Sequence, residues 1–233
     1  MKNKQKPTLT ILIPSLNEGK ILTKVINDCK KIKEYKQQIL IVIANKSTKA
    51  TKDEAEKSGE KIINTGNRLG KGAAVKFAIP HIKTDYTVQI DADYQFLPEE
   101  IPQLITPLLN GYDVALGTRY QKGSKIEPDS VSFLRLFGSY ALSLVTSIFV
   151  QKRVTDVMAG FKAFKTPVLK KLDPQVNHFG YEAELVVRAA KKGYKITNVP
   201  ISYKKRNIGR SSVSSLKHGF LVLQTIIKTA FEN

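Results

Sequence analysis

The sequence predicts an α/β fold: a single domain with a mostly parallel central sheet flanked by helices, followed by an apolar interfacial helix and a C-terminal helix. Three observations predict it. Short apolar, β-rich runs alternate with helical patterns. The chain has 233 residues, enough for one domain with a sizeable core. An acidic pair, Asp91 and Asp93, directly follows one of the apolar runs, where open α/β sheets place their ligands.

The strand-like runs are Leu9 to Ile13, Ile39 to Ala44, Tyr86 to Ile90 and Val114 to Gly117. Between them, Lys20 to Tyr35 sets Ile21, Leu22, Val25, Ile26, Cys29 and Ile32 at helical spacing, and Lys71 to Ile82 and Glu99 to Leu109 read as further helices, so four β/α units fill the N-terminal half. Phe133 to Val150 then runs for 18 residues with Arg135 as its only charge. That length is the lower edge for a membrane span, and Ser139, Ser143, Thr146 and Ser147 dilute it. A buried or interfacial helix is the preferred reading. Tyr181 to Lys192 reads as a helix stopped by Gly193, Lys195 to Tyr203 as a strand, and Leu216 to Phe231 as a last amphipathic helix. These elements divide the chain into a main unit over 1–215, with a first half 8–120 and a second half 121–215, and a C-terminal helix over 216–233.

Hydrophobic residues at 42% and charged residues at 25% fit a folded, soluble chain. Lys and Arg number 38 against 20 Asp and Glu, a formal net charge of +18, which favours anionic partners: nucleic acid, anionic lipid or phosphorylated substrates. No nucleic-acid motif is recognised, and aromatics are not interleaved with the basic residues, so nucleic acid ranks last. Cys29 is the only cysteine, which excludes an intrachain disulfide and a cysteine-cluster metal site and points to a reducing compartment. The apolar run after Met1 to Lys6 leads into Pro-Ser-Leu-Asn-Glu and reads as a strand, not a secretion signal.

Two carboxylates at a strand end suit a hard divalent cation such as Mg2+ or Mn2+, which takes oxygen ligands and keeps positions open for substrate phosphates. A bare D-x-D tripeptide is also what a strand-end loop looks like when Asp93 caps the following turn. Context separates the two. Ile13-Pro14-Ser15-Leu16-Asn17-Glu18, Asn67 to Ala74, Asp91-Ala92-Asp93-Tyr94-Gln95 with Pro98, and Gly117-Thr118-Arg119 resemble, in order and spacing, the family-2 inverting glycosyltransferases of GT-A fold. Asp156 to Lys162, and Val199-Pro200-Ile201 through Arg206, Gly209, Arg210 and Ser211, look more narrowly like the branch with the dolichyl-phosphate mannose and glucose synthases.

The resemblance implies a nucleotide-sugar donor held by Pro14, Leu16 and Glu18 at the nucleoside, with Asp91, Ala92 and Asp93 at the diphosphate and metal and Gln95 assisting there. Gly70 and Gly72 would allow close backbone approach, and Lys71 adds positive charge. The family's usual acidic pair after the second strand is replaced by Ala44-Asn45, and Asn45 offers only neutral hydrogen bonds to a base or ribose.

For the acceptor, a phosphate monoester is already largely dianionic and needs cations more than a base. Arg119, Arg135, Arg206 and Arg210 supply guanidinium groups in or near the motif segments. Asp156 is the candidate base for a hydroxyl acceptor, or else holds the turn at Gly160. Glu182 and Glu184 either touch the sugar or acceptor or lie on an exposed helical face. The expected activity is metal-dependent hexose transfer from a donor of the GDP-mannose or UDP-glucose type to a polyprenyl phosphate, by a protein peripheral on the cytoplasmic face of an anionic membrane. The alternatives are a sugar-hydroxyl acceptor, or a catalytically impaired relative that binds membrane or a partner.

Overall fold

The structure, a computed structural model, describes residues 6–67, 70–206 and 215–232. The first half runs β1 (Thr8–Ser15), α1 (Lys20–Cys29), β2 (Lys36–Ile43), α2 (Lys49–Lys57), β3 (Lys61–Asn64), α3 (Lys71–Ala78), β4 (Tyr86–Gln89), α4 (Ile101–Leu109) and β5 (Val114–Thr118). The second half holds β6 (Lys125–Ile126), α5 (Phe133–Val150), β7 (Lys162–Lys165), α6 (Thr166–Leu172), α7 (Tyr181–Lys191), β8 (Ile196–Pro200), β9 (Ser202–Tyr203) and α8 (Ser215–Phe231).

Seven strands form one sheet in the order β3-β2-β1-β4-β7-β5-β8, parallel except for β7, which runs antiparallel to both β4 and β5. β6 and β9 pair separately. β1 is buried on both faces, as a central parallel strand flanked by helices should be. Its side chains alternate: Leu9, Ile11 and Ile13 join the apolar cluster with α1 and α4, while Leu12 joins the cluster with α3, α6, α7 and α8.

Several expected boundaries shift for identifiable reasons. The helix expected to reach Ile82 ends at Ala78, because Pro80 removes a backbone donor and the chain tightens into a 3-10 turn over Ile79–His81. The helix expected to reach Tyr35 ends at Cys29, and Lys36 already begins β2. β3, four residues on the sheet edge, adds a fifth strand to the first half where four were expected. The long strand expected over Lys195 to Tyr203 breaks at Ile201, whose N–H is drawn to Thr118 O, so that β8 stays in the main sheet and β9 turns to β6.

α5 matches its expected bounds but is inverted in polarity. Ser139, Ser143 and Thr146 face the protein, whereas Phe133 (81% exposed), Phe137 (61%), Leu144 (55%) and Ile148 (68%) face outward. The serines have structural work inside: Ser147 Oγ accepts from Val154 N at 2.9 Å and Ser143 Oγ from Val157 N at 3.0 Å, ordering the loop that leads to β7. The polar dilution visible in the sequence is therefore the inner face, and the outer face is more apolar than the helix average. α8 packs beside α5 and α7, burying Val222 and Ile226, while Phe220 and Phe231 stay exposed.

Candidate active site

β1 and β4 are neighbours, but the chain leaves β1 toward β2 and β3 on one side and returns to β4 on the other. That reversal opens a crevice at the strands' carboxyl ends, the usual ligand position in such sheets. Ser15 to Glu18, Ala44 and Asn45, Asp91 to Gln95, and Arg119 all follow strands that end there.

Asp91 lies against Lys71, whose Nζ is 2.6 Å from Asp91 Oδ1 and 2.6 Å from Glu182 Oε1. Glu182 Oε2 in turn lies 3.5 Å from Nζ of Lys162, and Lys162 and Glu182 are both buried. Gly160 packs directly on the Asp91 carboxylate, where any β-carbon would collide. Burial pushes Asp91 up to about 6: Lys71 pulls it down, while Glu182 and Asp93 push the same way as burial. Lys71 is held charged, since Asp91 and Glu182 together outweigh its burial.

Asp93 sits in a tight turn. Its Oδ1 accepts from Gln95 N at 3.1 Å and its Oδ2 from Arg206 at 2.5 Å. Tyr94 between them has φ 62°, a conformation that L side chains avoid. It is held there by α1: the Tyr94 hydroxyl donates to Asp28 at 2.6 Å and Lys24 Nζ lies 4.0 Å from the ring centre. Glu18, 3.9 Å from Arg206, is raised to about 7 by burial, with Arg206 opposing and Asp93 and Asp91 adding to it.

Arg119 makes a two-pronged contact with Asp156, Nε to Oδ2 at 2.7 Å and a terminal nitrogen to Oδ1 at 3.0 Å, and also donates to Ser139 of α5 at 3.3 Å. Burial opposes its charge, but Asp156 more than compensates. Both oxygens of the buried Asp156 are thus committed to Arg119, and it is Asp91, not Asp156, that meets Gly160.

These groups floor a cavity of about 750 Å³. Lys71, Asp91, Asp93, Arg119, Glu182 and Arg206 form its polar end, Arg135 stands on its rim, and Leu142, Val145, Val222 and Leu223 of α5 and α8 form apolar walls. Pro14, Leu16 and Asn45 lie outside it, at the carboxyl ends of β1 and β2. There Asn45 reaches Asn67 at 3.5 Å and its carbonyl accepts from Lys52 at 3.0 Å. The expected Arg210 falls outside the described residues.

Two expectations change. Gly70 and Gly72 do admit a close backbone approach, but the backbone is the protein's own segment 176–178, which lies where β-carbons at these positions would be. Glu182 and Glu184 do not form an exposed face: Glu182 is in the ion cluster, and Glu184 accepts from Gln175 N and Val176 N at 2.8 Å, fastening that same segment. Sequence reasoning missed Lys162 and the Asp28–Tyr94 contact. A lone lysine inside the apolar run Gly160-Phe161-Lys162-Ala163-Phe164 was the available signal for the first.

The sequence pattern of the family described as glycosyl transferase family 2 matches residues 10–173. The chain belongs to this family. It is similar to glycosyltransferase AglJ of Haloferax volcanii, at 26% identity covering 96% of this chain and 72% of the relative. It is also similar to the dolichyl-phosphate hexose transferase of the same organism, at 27% identity covering 96% and 94%. Glucosyl-3-phosphoglycerate synthase from Mycobacterium tuberculosis, in complex with Mn2+, uridine diphosphate and phosphoglyceric acid, has a TM-score of 0.76 at 20% identity, covering 97% of this chain and 79% of that one. The likeness places the chain in the GT-A fold.

For a family 2 member the donor set fits a divalent cation. Among the described residues no three His, Cys, Asp or Glu side chains converge as a closed ligand cage. Two carboxylates that leave the remaining positions to phosphates and water suit Mg2+ or Mn2+. Asp91 Oδ1 is buried against Lys71 Nζ at 2.6 Å and Asp93 Oδ2 faces Arg206 at 2.5 Å, so each carboxylate already sits opposite positive charge. Gln95 donates its amide to Lys204 O at 3.0 Å and so positions the strand end that carries Arg206.

The raised carboxyls make a pH prediction. A carboxyl whose folded pKa exceeds its unfolded value binds its proton more tightly in the fold, so its contribution to stability falls as pH rises from about 4 to about 7. A cation must displace that proton. Mn2+ binding, followed by the paramagnetic resonance of the free ion, is expected to weaken about tenfold from pH 7.5 to pH 5. Affinity unchanged over that range would remove Asp91 from the metal site.

Proposed function

We propose that the protein transfers a hexose, with inversion, from a nucleotide-sugar of the GDP-mannose or UDP-glucose type to a polyprenyl phosphate at the cytoplasmic surface of a membrane. One observation carries this reading: a single cavity joins a charged floor, in which Lys71, Arg119 and Arg206 stand among three carboxylates, to apolar walls beside the outward apolar faces of α5 and α8. A phosphate on a hydrocarbon chain has that polarity. The relative named dolichyl-phosphate hexose transferase supports the same acceptor class.

The chain's residues divide the work. The crevice beside Leu16, Glu18 and Asn45 takes the nucleoside, and Asp91 and Asp93 hold the divalent cation, with Gln95 supporting their turn. That cation, when bound, neutralises charge on the nucleoside diphosphate leaving group. Lys71, pinned by Asp91 and Glu182, adds a fixed positive charge at the same place. Arg119 receives the acceptor phosphate, aimed by Asp156, with Arg135 and Arg206 adding charge along the same cavity; Arg210 is assigned with them on its sequence motif alone. An acceptor phosphate oxygen attacks the anomeric carbon as the bond to the diphosphate oxygen breaks on the opposite face, and no proton needs removal. Asp156, committed to Arg119, positions that arginine and does not serve as a base.

The test supplies radiolabelled GDP-mannose or UDP-glucose with Mn2+ and a polyprenyl phosphate in anionic vesicles. We expect label to enter the organic phase as an acid-labile glycosyl phosphate and the protein to float with the vesicles. Label passing only to hydroxyl acceptors, or no transfer from any donor, would overturn the reading.

A further inference from the structure

Two glycines inside helices lie on the cavity and have no packing partner among the described residues. Gly138 is in α5 and Gly219 in α8, and a β-carbon built at either would meet nothing within 4 Å among the described residues. Elsewhere the chain's buried glycines are forced. Gly72, Gly117 and Gly160 each have protein atoms where the β-carbon would stand. Gly138 and Gly219 are under no such constraint, nor does either have a positive φ. Glycine within a helix is unfavourable by about 1 kcal/mol relative to alanine. Their positions therefore point to the space they border.

That space has a direction. Gly138 adjoins Ser139, which touches Arg119, so it lies one residue from the proposed phosphate seat. Leu134, Gly138, Leu142 and Val145 form one helical stripe leading away from it along α5. Gly219, Val222 and Leu223 face the cavity from α8. The two helices close together at their far ends, where the rings of Phe149 and Phe231 meet at 5.7 Å. The gap therefore lies between their N-terminal halves, next to outward-facing Phe133, Phe137 and Phe220.

We infer that Gly138 and Gly219 hold open a slot through which the hydrocarbon chain of the acceptor passes from Arg119 to the apolar outer surface, and that they thereby set which chains are accepted. This rests on the polyprenyl phosphate reading and adds the path of the chain and the residues that gate it. A side chain at either position enters the slot and replaces none of the charged groups of the phosphate seat or the donor site.

The test compares wild type with Gly138→Leu and Gly219→Leu on a long-chain polyprenyl phosphate and on methyl phosphate, which has the phosphate but no chain, alongside thermal unfolding. Leucine is the better helix former, so unfolding temperatures should hold or rise, which keeps loss of fold from mimicking a blocked slot. We expect kcat/KM for the long-chain acceptor to fall about tenfold or more, the scale of overpacking a filled site, with methyl phosphate turnover, which needs no slot, within about twofold of wild type. Wild type using both acceptors with the variants keeping the same ratio overturns the slot alone. Wild type using neither overturns the slot together with the acceptor reading. A lowered unfolding temperature would show that the space is not open, and would overturn it too.

Discussion

Asp91→Asn is expected to lower kcat/KM for glycosyl transfer by about 10³-fold while the protein stays folded. The substitution keeps the shape that packs on Gly160 and removes only the charge. At neutral pH that charge is held against its burial, with the carboxyl raised to about 6, so the fold loses little when it is gone. Lys71 keeps a partner in Glu182 at 2.6 Å. What disappears is half of the two-carboxylate seat for the divalent cation, and with it the main neutralisation of the leaving diphosphate, an electrostatic contribution on the order of 10²–10³-fold or more per group. Steady-state kinetics at saturating Mn2+, with metal binding measured separately, checks it. A variant within tenfold of wild type would mean that Asp91 serves only to hold Lys71.

The parts of this site that were legible in the sequence are those set by strand ends. Once Thr87 to Ile90 is read as a strand, Asp91 and Asp93 must emerge at its carboxyl end, and the same logic places Glu18 and Arg119. The bounds of α5 were readable because a long uncharged run has few alternatives. Its orientation was not: inward serines and outward phenylalanines reverse the usual rule, and only the contacts of Ser143 and Ser147 with the 154–157 loop reveal it. β7 escaped notice because Lys-Ala-Phe-Lys carries lysines at both ends, and an antiparallel strand inserted between parallel ones has no periodic signature. Gly70 and Gly72 were legible as a need for close approach but not as to what approaches, since the 176–178 segment is about a hundred residues away in the chain and is fastened there by Glu184. Asp156 and Glu182 show the same limit. Each is a carboxylate near an active site, and only its partners show that its negative charge is used to hold a cation in place.

Glu182→Gln is the substitution expected to affect stability most. The carboxylate lies between the half-buried Lys71 and the buried Lys162, and these hold its pKa below the usual glutamate range despite burial that pushes it up. The amide keeps one acceptor for Lys71 or for the Tyr181 hydroxyl, 3.2 Å away in the wild type, but removes the largest favourable charge on Lys162 and leaves it only the weaker attraction of Asp156 and Asp91. Removing one partner of a buried ion pair costs about 3–5 kcal/mol, roughly 10 °C in unfolding temperature for a chain of this size. Lys162 gives the prediction a sign in pH. Its folded pKa is already below the ordinary lysine value because of burial, with Glu182 opposing, and losing Glu182 lowers it further. The unfolded chain then binds a proton that the fold rejects, so stability rises with pH up to the unfolded lysine value of about 10.4. The deficit of the variant relative to wild type should therefore shrink between pH 7 and pH 10, whereas a simple packing defect would be independent of pH. Thermal unfolding of both proteins across that range separates the two. A deficit that stays constant would mean that Lys162 is neutral in the wild type and that Glu182 serves Lys71 alone.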